Sequence, residues 1–135
     1  MNRDGGLRPM FRQRLPHFMW VVVETPISGG GVPDHWWCCR GVSGWNEYKA
    51  THTWRVTFRP EQVGWHLALA NHGGRSFIIV RRQKGAADEL WIYRGADAAL
   101  LLRQGLKGIE PLLLCSGGPR GWAWAEIDHL LTNEF

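Results

Sequence analysis

The sequence predicts an α/β domain with a mixed central sheet flanked by helices. Two observations carry this. Runs rich in β-branched and aromatic residues recur at 20–25, 32–40, 45–51, 76–82 and 89–94. Between the third and fourth runs lies a segment that opens with Pro60 and stops at Gly73-Gly74, the signature of a helical connection. The expected order is helix, three-strand meander, helix, two strands, helix.

Each element has a local reason. Residues 1–9 carry Gly, Asp and Arg without apolar periodicity and read as a loose arm. Residues 10–20 read as a short helix interrupted near Pro16, and W-V-V-V-E-T at 20–25 as a strand. Three consecutive glycines, Gly29 to Gly31, punctuate the chain before the second strand, with Pro33 near its beginning. Gly41-Val42-Ser43-Gly44 is expected to turn this strand into the third, making a hairpin. Residues 54–58 continue in extended form. In the helix that follows, Glu61 suits the first turn, and Val63, Leu67 and Ala70 share one face. A turn over 83–88 joins the last two strands. Residues 96–135 read as a C-terminal helical extension, with helices at 96–105 and 122–132.

Length and composition bound the class. A chain of 135 residues with 44% hydrophobic content makes one domain with a single modest core. No run approaches the roughly 18 apolar residues of a membrane helix, and no signal-peptide pattern opens the chain. The expectation is a soluble, cytoplasmic protein with no membrane partner. Cys38, Cys39 and Cys115 are neither a disulfide framework nor a zinc spacing. They read as small buried thiols. The formal charge is +4, and 13 arginines stand against three lysines, Lys49, Lys84 and Lys107. Arginine forks match phosphate oxygens, so the bias is compatible with a nucleic-acid partner. Nine tryptophans are unusual for this length, but most are expected to pack.

The chemistry is concentrated between residues 24 and 62. Gly31-Val32-Pro33-Asp34 opens one strand, and Glu47-Tyr48-Lys49 lies on the next. Glu47 and Lys49 are two apart, so they share a face at a separation of about 7 Å. If the strands pair antiparallel, Asp34 and Glu47 meet at one end of the sheet. Two adjacent carboxylates repel, and a hard divalent cation, Mg²⁺ or Mn²⁺, relieves the repulsion. Lys49 beside them can hold an attacking water or offset transition-state charge. Carboxylate, carboxylate and lysine at one strand end form a coherent phosphodiester-hydrolysis site.

The run of G-V-P-D, W-N-E-Y-K, R-P-E-Q-x-x-W-H and G-G-R-S-F-I-I-V-R resembles the PD-(D/E)XK nuclease superfamily. It is most similar to the small phage and bacterial nucleases grouped with VRR-NUC and archaeal-type Holliday-junction resolvases, over about residues 20–82. The resemblance implies a restriction-endonuclease-like αβββαβ core with Mg²⁺ at the sheet end. It implies Asp34, Glu47 and the backbone carbonyl of Tyr48 as metal ligands, Lys49 as the catalytic lysine, and Gln62 as the helix residue lining the site. Glu24 takes the place of a further catalytic glutamate and metal ligand, and Ser28 loosely matches a resolvase serine. The implied activity is a metal-dependent DNA endonuclease leaving 5′-phosphate and 3′-hydroxyl ends. Its implied partner is branched duplex DNA, and its implied state a homodimer.

Plainer readings stand beside these. Asp34 after proline can be a turn residue, and Glu47 with Lys49 a solvated pair. Trp65 and His66 read as packing or surface residues, and His35 and His52 as bystanders. Arg55, Arg59, Arg75 and Arg81 are candidate DNA contacts, as is Arg82, although Arg81 and Arg82 alternate on one strand so that one at most faces DNA. The alternative function is a catalytically silent nucleic-acid-binding or structural module on the same fold.

Overall fold

A computed structural model describes residues 3–23 and 30–133. Helix α1 (Leu7–Arg14) leads into strands β1 (Met19–Val22), β2 (His35–Cys39) and β3 (Val42–Thr51). Helix α2 (Pro60–Asn71) crosses to β4 (Ser76–Lys84), which turns into β5 (Ala87–Arg94). A 3₁₀ turn (Gly95–Asp97), α3 (Ala98–Gln104), β6 (Leu113–Cys115) and α4 (Trp124–Asn133) complete the chain. The strands form one mixed sheet in the order β1-β2-β3-β4-β5-β6. Among the described strands only β3 and β4 pair in parallel, and parallel neighbours need a crossover of the kind α2 supplies. The expected α/β class and the αβββαβ order of the first six elements are both observed.

The sheet is buried on two faces. Along β4, Phe77 and Ile79 point to one side and Ile78 and Val80 to the other, all fully buried. The first side packs with Leu7, Phe11, Trp37, Tyr48, Ile127 and Leu131, under α1 and α4. The second packs with Val56, Phe58, Tyr93, Ala98, Leu101 and Leu106, under the loop before α2 and under α3. None of the nine tryptophans is exposed. Among the described residues no helix is long and apolar enough to cross a membrane.

Three expectations change. The arm over 1–9 is not loose where it is described: Leu7–Arg14 is helical, and Leu7 is buried. Asp4 organises its start, its carboxylate accepting the backbone N–H groups of Gly6 and Arg8 at 3.0 and 3.1 Å. Pro9 stands in the first turn, where the missing N–H costs nothing. The turn before β3 is tighter than expected. Arg40 and Gly41 both have positive φ, 50° and 79°, and make a two-residue hairpin turn. Gly44 then lies inside β3, where a Cβ would stand 2.6 Å from the Trp37 ring. The C-terminal extension, finally, is not wholly helical: β6 adds an edge strand to β5.

Phe11 joins the new helix to the rest, with ring contacts to Trp20, Tyr48 and Trp124 at 6.2, 5.3 and 5.2 Å. Phe11→Ala is expected to cost about 3–5 kcal/mol in urea unfolding. Leu7→Ala, inside the segment expected to be a loose arm, is expected to cost about 2–5 kcal/mol, where a loose arm would show almost no change.

Candidate functional site

The antiparallel register of β2 and β3 pairs His35 with Asn46. One step further sets Asp34 opposite Glu47, and the Asp34 N–H donates to the Asn46 carbonyl at 3.0 Å. The Asp34 side chain reaches along the edge of β3, where Oδ2 accepts the Tyr48 N–H at 2.8 Å. In an antiparallel ladder the N–H and C=O of one residue leave the same edge, so the Tyr48 carbonyl faces this side too. Asp34 Oδ1 forms an ion pair with Arg8 at 3.0 Å. The Asp34 carboxyl is raised to about 6, first by burial and then by the charge of Glu47. That second cause shows the two carboxylates close enough to oppose each other's ionisation.

Helix α2 closes the other side of the site. Its inward face is not the Val63, Leu67, Ala70 stripe, since Leu67 is 52% exposed. The buried side chains are Gln62 and His66, four residues apart on one face. Gln62 works in two directions. Its Nε2 donates to Glu47 Oε2 at 3.3 Å. Its Oε1 accepts from Lys49 Nζ at 3.0 Å and from the Arg59 N–H at 2.9 Å. The last bond is half of a capping box that fixes the start of α2. Lys49 also lies 4.7 Å over the Phe58 ring. Burial lowers its pKa, which the charges of Glu47 and Asp34 partly offset.

Glu47 is 3% exposed, and its Oε1 is buried without a hydrogen-bond partner. A carboxylate so placed is costly without a counter-charge. Two carboxylates and a backbone carbonyl are a donor set that fits a hard divalent cation. Among the described residues no group of three or more His, Cys, Asp or Glu side chains gathers to hold an ion.

The remaining candidates divide. Glu24 and Ser28 lie outside the described residues. Arg59 is exposed at the start of α2, and its charge is among those that act on Lys49. Arg55 is exposed and donates to the Leu102 carbonyl. Arg81 is held by Asp88 in a two-pronged pair and by the Gly5 carbonyl, and Arg75 donates to the Leu131 carbonyl of α4. Both therefore serve the α1 and α4 side of the sheet. Arg82 takes the other face, paired with Glu89 and 3.5 Å over the Trp54 ring. His35 also points away from the site, with Nδ1 2.7 Å from the Tyr48 hydroxyl. His52 is exposed against the Gln83 carbonyl. Sequence reading missed Arg8, within the apparent arm. It also passed over His66, although the four-residue step from Gln62 was there to be read.

Two adjacent residues respond to acid with opposite sign. Burial, followed by Arg8 and Arg12, lowers the His35 pKa from 6.5 to about 4. Stability from its neutral ring is complete above pH 6.5 and lost as pH falls through 4. Asp34 is raised from 3.8 to about 6, so its contribution is complete below pH 3.8 and lost as pH rises through 6. The two oppose each other across pH 4–6. Relative to the unsubstituted protein, His35→Gln is expected to lose less stability between pH 7 and 4.5, and Asp34→Asn to lose more. Urea melts followed by tryptophan fluorescence at both pH values check both signs.

No protein-family model matches this chain, and no curated protein matches it in sequence. What the chain does must be read from the groups that meet at Glu47.

Proposed function

We propose that this protein is a metal-dependent DNA endonuclease that hydrolyses phosphodiester bonds. The observation that carries the reading is the meeting of Asp34, Glu47 and Lys49 at one strand end, with Gln62 tying Glu47 to Lys49. Asp34, Glu47 and the Tyr48 carbonyl would hold Mg²⁺ or Mn²⁺. When bound, the cation supplies polarisation of a phosphoryl oxygen and a more acidic water. In the hydrolysis a water oxygen forms the new bond to phosphorus, the bond to the 3′-oxygen breaks, and that oxygen leaves with a proton. Lys49, aimed by Gln62, orients the water and offsets negative charge on the phosphoryl oxygens. Arg59 and Arg55, exposed nearby in the chain, supply backbone contacts that weaken with salt.

The substrate we propose is branched duplex DNA, cut by a homodimer, on the resemblance to junction-resolving nucleases. One observation favours the catalytically silent alternative. Arg8 already neutralises Asp34, and a fixed guanidinium can stand where a silent site no longer needs an ion.

The readings separate in a cleavage assay on linear, flapped and four-way DNA with Mg²⁺, Mn²⁺ or EDTA. Cleavage is expected with either metal and none with EDTA. Asp34→Asn and Lys49→Ala should each lower the rate by about 100-fold or more, while Glu61→Gln, at an exposed carboxylate, should leave it unchanged. DNA binding without cleavage of any substrate would select the silent module. Cleavage untouched by Asp34→Asn and Lys49→Ala would end the assignment.

A further inference from the structure

A second residue on α2 faces the same carboxylate. His66 is fully buried, and its Nε2 has no hydrogen-bond partner. Glu47 Oε1 has none either, and the two atoms stand 3.5 Å apart. On the far side of the ring, Nδ1 lies 2.8 Å from Ser76 Oγ, itself buried at the start of β4. A carboxylate only accepts, so a neutral imidazole facing it must turn its N–H toward it. That leaves Nδ1 as the acceptor and makes the Ser76 hydroxyl the donor.

We propose that His66 is a positioning residue of this site, its ring held from behind by Ser76 and its Nε2–H orienting the Glu47 carboxylate for a divalent cation. The proposal rests on the metal site described under Proposed function. Gln62 steers one oxygen of Glu47 and His66 the other, from one face of one helix. Each oxygen keeps a second lone pair for an ion. Groups behind a ligand that fix its orientation in this way commonly decide affinity.

The fold makes room for the arrangement. Gly95 begins the 3₁₀ turn directly above it, and a Cβ there would lie 1.9 Å from Ser76 Oγ and 2.6 Å from His66 Nδ1. Filling a dry space needs no imidazole. An apolar side chain would do so without the desolvation penalty of two ring nitrogens. The ring is accounted for by the two polar groups on either side of it.

Mn²⁺ binding to the full chain, followed by titration calorimetry, tests this directly. His66→Phe keeps a ring but removes the donor. It is expected to weaken Mn²⁺ binding by about 10-fold or more, and Ser76→Ala to weaken it in the same direction by less. His66→Gln, whose amide N–H has similar reach, should stay within about threefold of the unsubstituted protein. Near-UV circular dichroism verifies that each variant is folded. A folded His66→Phe that binds Mn²⁺ as tightly as the unsubstituted protein would overturn the proposal, as would a His66→Gln that falls as far as the Phe variant. Should His66→Phe not fold, undiminished binding by Ser76→Ala overturns it. If the unsubstituted protein binds no Mn²⁺, the metal site itself falls and the role of His66 with it. Binding that is equal in all variants removes His66 alone.

Discussion

A carboxylate buried between a sheet and a helix costs several kcal/mol unless its surroundings compensate. Glu47 is such a group, and much of the second half of β3 and the first half of α2 is arranged around it. An apolar helix face would leave the charge stranded. The face that α2 turns inward is therefore polar, with Gln62 and His66 where a packing helix would carry leucine. Lys49, two residues along the strand, brings a positive charge to the same amide that holds Glu47. That amide also caps α2, so the beginning of the helix and the geometry of the site are one set of hydrogen bonds.

The opposite face holds the strands in register. The Trp37 indole N–H donates to Asn46 Oδ1 at 3.0 Å, and Asn46 donates to the Tyr48 hydroxyl, which also meets His35. These residues alternate with Asp34, Glu47 and Lys49 on the same two strands. A one-residue slip would bury Asp34 and Glu47 in the aromatic core and expel Trp37 and Tyr48. The alignment of the two carboxylates is thus secured from behind, by packing that takes no part in the chemistry.

Much of this was legible in the sequence where pattern and packing agree. The β-branched runs became strands, and Pro60 with Gly73-Gly74 bounded α2 closely. Asp34, Glu47 and Lys49 were legible because strand alternation and pairing suffice to bring them together, whereas Gln62, on α2, was reached through the family resemblance. Reading failed where a local signal was ambiguous. Gly5, Gly6 and Pro9 look like helix breakers, and only the Asp4 carboxylate turns them into a helix start. Arg8 was lost with that helix. The inward face of α2 was misassigned because apolar periodicity picks out a face for packing, and this one serves a charge. β6 fell inside the stretch read as a helical extension, and its three residues are held by pairing with β5.

Glu47, Lys49, Gln62, His66 and Ser76 all belong to the single β3-α2-β4 crossover. β3 and β4 are interior strands, paired on both edges, whereas among the described residues β1 and β6 are each paired on one edge. Openings that let solvent reach backbone amides begin at such margins and cost far less than unfolding the whole domain. The sheet can breathe at its two ends while the crossover stays closed. Asp34, joined through β2 and Arg8 to the more yielding side, is the one carboxylate whose presence at the site such breathing can modulate.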